Sequence, residues 1–262
     1  MIETIPDILA RIVAKKREEL AQSLPQMEQW ETQALSRAGT RRGFRAALSA
    51  RKPAIIAEVK KASPSKGVLS ADFDPVWIAT QYQAGGASAV SVLTDESFFQ
   101  GSLTDLENAR AAIQLAVLRK DFTIAPANIV QAAAHGADAI LLIAAILSER
   151  ELRDLRETAA RYEMDALVEV HNRAELDAAV NAGSQIIGVN NRNLSTFEVT
   201  LDTSLRLAEH MPTDVLRVSE SGIFNSGDIA TLSAAGYTAF LVGKHLMRSG
   251  DPASALRQLV SA

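Results

Sequence analysis

The chain has 262 residues, 47% of them hydrophobic, which suits one large α/β barrel or two small domains and is too apolar for general disorder. Its 31 acidic residues outnumber 27 basic ones for a formal charge of -4, and no basic run is interleaved with aromatics, which argues against a nucleic-acid partner. The absence of cysteine removes disulfides, thiolate metal sites and thiol catalysis together.

Residues 5–24 carry Ile8, Leu9, Ile12, Val13 and Leu20 around a charged Lys15 to Glu19 block, the pattern of an amphipathic helix that Pro25 ends. A second short helix is expected over Phe44 to Leu48, and Lys52-Pro53 leads into the first strand. Residues 1–50 therefore read as a helical extension packed on a barrel of residues 54–262, in one domain. From there one theme repeats: a short apolar run, a polar turn, an amphipathic helix. The runs are 55–60, 89–93, 115–120, 139–143, 166–170, 186–189, 215–219 and 240–242. The helices between them span 74–84, 103–113, 129–135, 149–162, 173–182, 203–210 and 226–235. Gly85-Gly86, Gly136, Gly183 and Gly236 suit helix C-caps. Eight strands alternating with helices predict a (β/α)8 TIM barrel. A doubly wound sheet is the competing architecture, but it favours an early dinucleotide turn and no GxGxxG is present. The longest apolar run, Ala139 to Leu147, is too short for a bilayer, and charged residues stand where a signal peptide needs an apolar block. A cytoplasmic protein without a membrane partner is expected.

In such a barrel the site lies at the carboxyl ends of the strands. Along the first run Ile56, Glu58 and Lys60 point one way and Ile55, Ala57 and Val59 the other. An ammonium and a carboxylate facing a core need each other or a ligand, so this strand end is either a site or a structural ion pair. Ser63, Ser65 and Gly67 add donors beside it. Other runs end in Lys120-Asp121-Phe122, Glu169-Val170-His171, Asn190-Asn191-Arg192, Glu220-Ser221-Gly222 and Gly243-Lys244. For each alone a solvated strand terminus is an adequate reading; together they outline a pocket. The glycines of Ser221-Gly222 and Gly243-Lys244 follow the seventh and eighth runs, where barrels commonly bind phosphate through backbone N–H groups, although a glycine after a strand is also simply a turn. Lys120 can donate a proton and Glu169 can accept one. Phe122, Leu141 and Leu194 are the apolar residues nearest these ends, with core packing the better reading for Leu141. None of His135, His171, His210 and His245 forms a close metal-ligand pair, so no metal is expected.

Six segments give the chain a specific resemblance over nearly its full length. They are Ile56-Ala57-Glu58-Val59-Lys60-Lys61-Ala62-Ser63-Pro64-Ser65, Leu93-Thr94-Asp95-Glu96 with Phe99-Gln100-Gly101-Ser102, Leu118-Arg119-Lys120-Asp121-Phe122, Val168-Glu169-Val170-His171, Gly188-Val189-Asn190-Asn191-Arg192-Asn193-Leu194 and Ser219-Glu220-Ser221-Gly222-Ile223. With the amino-terminal extension they resemble the indole-3-glycerol phosphate synthase family of tryptophan biosynthesis. The resemblance implies ring closure of 1-(2-carboxyphenylamino)-1-deoxyribulose 5-phosphate with loss of carbon dioxide and water, without cofactor or metal. It implies Lys120 as general acid, Glu169 as general base in the later dehydration, Glu58 orienting Lys60 and meeting substrate hydroxyls or the second proton transfer, and Lys60 near the carboxylate and phosphate, where it could itself donate a proton in one step. Asn190 would hydrogen-bond reacting oxygens, and Arg192 and Ser63 would hold the carboxylate. Phe122 and Leu194 would flank the ring; Ser221, Gly222, Gly243 and Lys244 would bind phosphate. The implied partner is a small phosphorylated substrate, and a monomer is compatible with this. Two departures stand out: Thr123-Ile124-Ala125-Pro126-Ala127 replaces an acidic-Pro-Tyr continuation, and Lys244 replaces a small or acidic residue. The rivals are another phosphate-binding barrel such as phosphoribosylanthranilate isomerase, which uses a Cys and an Asp as its acid–base pair and so does not suit a chain without Cys, and a non-catalytic sugar-phosphate-binding barrel.

Overall fold

The computed structural model describes residues 7–63, 67–68 and 72–261. The start of the first helix at Ile5 and the loop residues Pro64, Ser65 and Lys66 lie outside them. Eight parallel strands close into a barrel in sequence order: β1 (Ala54–Val59), β2 (Ala89–Leu93), β3 (Ala116–Lys120), β4 (Ala139–Ile143), β5 (Asp165–Val170), β6 (Ile186–Asn190), β7 (Leu216–Glu220) and β8 (Ala239–Val242). Pairing of Ile55 with Phe240 and Ala57 with Val242 joins the last strand to the first, which rules out the open doubly wound sheet.

Alternation along the strands sorts the core into two layers. Ile55, Ala57 and Val59 face the surrounding helices, while Ile56 faces the barrel interior with Leu118, Leu141, Leu167, Ile186, Val218 and Leu241. The interior is a packed core whose lower end is plugged by Phe44 and Leu48 of α3 (Phe44–Ser49). Short polar residues start the helices as expected from their side-chain oxygens: Asp74, Ser102, Asn172 and Asn225 each accept from a first-turn N–H. Of the glycines expected at the helix ends, Gly86, Gly136, Gly183 and Gly236 have positive φ, whereas Gly85 is the last residue of its helix.

The amino-terminal segment is more helical than its sequence suggests. After α1 (Asp7–Ser23) a single 3-10 turn holds Pro25, and the chain resumes as α2 (Met27–Ser36), with Trp30 and Ala34 buried. Two arginines beyond α2 tie the chain to the barrel: Arg41 donates to the carbonyls of Ala133, Ala137 and Tyr162, and Arg42 to those of Leu115 and Arg110. A terminal helix, Pro252–Val260, capped by Asp251, also lies outside the predicted set. Among the described residues no helix is long and apolar enough to cross a membrane.

Candidate active site

Strand direction and pleat bring four ionisable side chains to one level of the barrel. Inward-facing positions climb from Ile56 to Glu58 on β1, from Leu118 to Lys120 on β3, from Leu167 to Glu169 on β5 and from Val218 to Glu220 on β7. Alternate strands supply one layer of such a barrel, so the layer above the apolar core holds three carboxylates and one ammonium. Lys120 Nζ donates to Glu169 Oε2 at 2.7 Å and to Glu220 Oε2 at 3.0 Å. Lys60, two residues further along the same face, pairs with Glu58. The three glutamates are 4%, 4% and 1% exposed, which makes the pairing obligatory.

Glu169 is the most heavily supported of them. Its Oε1 accepts from Asn190 Nδ2 at 3.1 Å and lies 3.3 Å from His171 Nε2, whose Nδ1 is 3.0 Å from Glu175. Burial opposes ionisation of Glu169, but Lys120 and His171 outweigh it and hold the carboxyl well below its ordinary range. Burial likewise disfavours the imidazolium of His171, yet the flanking Glu169 and Glu175 raise it to about 10. Lys120 is held above the usual lysine range because Glu169, Glu220 and Glu58 overcome its desolvation. Glu220 goes the other way: burial, with the neighbouring Glu169 charge adding to it, pushes its carboxyl up against the pull of Lys120. The arrangement therefore offers an ionised base, a charged proton donor and a carboxyl that readily keeps a proton.

That last shift has a measurable sign. A carboxyl raised in the native state retains a proton that the unfolded chain has lost, so stability declines as pH rises from the ordinary carboxylate range through the native value of Glu220. Urea midpoints should fall across this window, and Glu220→Gln should flatten the decline; parallel wild-type and variant profiles would contradict it. Glu169 has the opposite dependence, stabilising above the ordinary range and losing that contribution as pH falls through its lower native value.

Two glycines make room for this layer. A β-carbon at Gly188, which pairs with Glu169 across the sheet, would overlap Glu220 Oε1, and one at Gly243 would overlap the Glu58 carboxylate. Gly243 thus serves the carboxylate, a use invisible when it is read only as a phosphate-loop glycine. Gly188→Ala should cost about 1–3 kcal/mol through overpacking. Combining it with Glu220→Ala should recover most of that loss in thermal unfolding, whereas additive losses would show that the two positions do not interact.

Above the layer opens a cavity of about 550 Å³. It is lined by every sequence-predicted site residue: Glu58, Lys60, Ser63, Lys120, Phe122, Glu169, Asn190, Arg192, Leu194, Ser221, Gly222, Gly243 and Lys244. Asn190 Oδ1 accepts from the Arg192 N–H at 3.0 Å, and Arg192 Nη1 donates to the Phe197 carbonyl at 3.2 Å, so the loop after β6 is folded back on its own arginine. Ser63 is brought to the rim by a two-residue pairing of Ala62–Ser63 with Gly67–Val68. Ser221 and Gly222 both have positive φ, and a β-carbon at Gly222 would stand 2.8 Å from Val199, so the turn after β7 needs glycine there on both counts. Lys244 opens the short helix Lys244–Met247 after β8.

Several lining residues are not among the sequence-predicted ones. Glu220 is overshadowed in the sequence by Ser221 and Gly222, although its inward register on β7 marks it as Glu169 is marked on β5. Ile8, Leu9 and Ile12 of α1 form one wall, and Phe99 contributes another. Leu141 is buried, as the core reading expects, and also forms part of the cavity floor. Asn191, in contrast, is structural: its side chain binds Ser219 Oγ, the Ser221 carbonyl and the Ser204 N–H.

The family model described as Indole-3-glycerol phosphate synthase matches residues 9–259. A protein of that name from Koribacter versatilis is 53% identical over 224 residues, covering 84% of this chain and 86% of that one. Another from a Polaromonas species is 49% identical over 259 residues, covering 97% and 98%. Among solved structures, a thiamine phosphate pyrophosphorylase from Pyrococcus furiosus aligns with TM-score 0.60 at 16% identity, covering 79% of this chain and 93% of that one. KGPDC from Streptococcus mutans aligns with TM-score 0.59 at 12% identity over 80% and 96%. These structures share the fold alone.

Proposed function

Because the chain belongs to the indole-3-glycerol phosphate synthase family, we propose that the cavity closes the indole ring of 1-(2-carboxyphenylamino)-1-deoxyribulose 5-phosphate. The observation that carries this is Lys120, placed at the cavity floor between Glu169 and Glu220. The aryl carbon bearing the carboxylate attacks the ketone, and Lys120 gives its proton to the oxygen, which becomes a hydroxyl. Loss of carbon dioxide restores the aromatic ring. Lys60 then protonates the hydroxyl, which leaves as water; Glu169 takes a proton from the ring carbon beside the nitrogen to give indole-3-glycerol phosphate and hands it back to Lys120 along their hydrogen bond, while Lys60 is reloaded from solvent. Lys120 suits the first step because its charge stabilises oxygen as negative charge develops there.

The remaining roles follow position in the cavity. Arg192 and Ser63 hold the carboxylate until it leaves; a guanidinium matches that planar group in a fork. Lys60, oriented by Glu58, lies between carboxylate and phosphate, and Asn190 shares its amide between Glu169 and the reacting oxygen. Phe122 and Leu194 flank the aryl ring. Ser221, Gly222, Gly243 and Lys244 receive the phosphate through the two turns after β7 and β8. The test is turnover: purified protein given the carboxyphenylamino substrate should produce indole fluorescence together with an equivalent of carbon dioxide. Binding of the substrate without either product would replace this reading with a binding-only barrel.

A further inference from the structure

Lys16, which lies on α1 away from the catalytic layer, is buried among carboxylates. Its Nζ is 2.9 Å from Asp95 Oδ2, 2.9 Å from Asp121 Oδ1 and 3.0 Å from Glu19 Oε2. Each aspartate accepts from the backbone of a segment that carries one aromatic ring. Asp95 Oδ1 accepts from the Phe98 N–H at 2.7 Å and so caps the short helix Glu96–Phe99 that carries Phe99. Asp121 Oδ1 accepts from the Phe122 N–H at 2.8 Å, while its Oδ2 accepts from Thr94 and Arg119. The Phe99 and Phe122 rings stand 6.1 Å apart, tilted by 37°, and both line the cavity. Glu19, the third partner, also accepts from Ser97 in the Phe99 helix. One turn and two turns before Lys16 on the same face of α1 are Ile12 and Ile8, which wall the cavity themselves.

We propose that Lys16 is a positioning residue that sets the aromatic wall of the cavity, joining α1, the Phe99 helix and the Phe122 backbone through a single ammonium. The proposal rests on the function proposed for the cavity in assigning that wall to the aryl ring. Removing the charge leaves Asp95 and Asp121 as neighbouring buried anions, of which, among the described residues, only Asp121 retains a cation, Arg119. Such groups protonate or turn outward, and either response loosens the contacts that fix the two rings. Desolvation opposes the charge on Lys16, but the two aspartates outweigh it and hold it above the ordinary lysine range.

The experiment compares two ligands on one variant. Lys16→Met should bind a reduced substrate analogue carrying the carboxyphenyl ring about tenfold more weakly than wild type, as read by calorimetric titration. Inorganic phosphate should bind unchanged, KM should rise with kcat nearly kept, and Lys16→Arg should regain most of the lost affinity. Equal weakening of both ligands, or no weakening of either, overturns the proposal. Should Lys16→Met fail to fold, Asp95→Asn retains the capping oxygen and removes the charge; it should weaken the analogue selectively, and unchanged affinity overturns the proposal equally. Wild-type turnover is measured alongside, so absence of product would count against the reaction while the two-ligand comparison still decides the role of Lys16.

Discussion

Replacing Lys120 by methionine should lower turnover at least about a hundredfold, the usual contribution of a positioned proton donor, while analogue binding falls much less. The same change should alter stability in a pH-dependent way, because Lys120 is the only cation hydrogen-bonded to both Glu169 and Glu220 among the described residues. Breaking a buried pair from one side costs about 3 kcal/mol when the orphan must stay charged. The orphaned glutamates can take up protons instead, so the loss should be smaller in mild acid than above neutrality. Near-wild-type turnover would place the acid elsewhere, and a loss independent of pH would contradict the carboxylate layer.

Glu169→Gln should separate the chemical steps. The amide keeps the shape and can still meet Lys120 and Asn190, yet it cannot hold a proton taken from the ring system. If Glu169 serves dehydration, carbon dioxide should be released in a first turnover while indole formation slows by about two orders of magnitude. Lys120→Met, acting at ring closure, should suppress both products together. Equal suppression of both by Glu169→Gln would move that residue to an earlier step.

Much of this site is readable along single strands. Ile56-Ala57-Glu58 already states which face is interior and where the interior turns ionic, and Leu118-Arg119-Lys120 and Leu167-Val168-Glu169 repeat the statement on β3 and β5. What escapes is whatever depends on a neighbour distant in sequence. Glu220 gains its meaning from Lys120 and from the space left by Gly188. Gly243 gains its meaning from Glu58. The apolar stripe of α1 announces that something is covered without saying what, and Lys16 within it reads as an ordinary solvated charge until Asp95 and Asp121 are seen around it. Helix α2 is hidden for a different reason: it buries only Trp30 and Ala34, too few positions to impose a period on its sequence. The helix Pro252–Val260 does carry its signals, Asp251 as cap and Pro252 at the first position, and is legible once these are weighed.

The most direct measurement is a crystal structure with the reduced carboxyphenylamino analogue bound. Its aryl ring should lie against Phe122 and Leu194, the oxygen at the former ketone carbon within hydrogen-bond reach of Lys120, and the phosphate at the turns holding Ser221, Gly222, Gly243 and Lys244. An analogue seated outside this cavity, or one whose phosphate points to Phe122 and whose ring points to the β7 and β8 turns, would contradict the assignment.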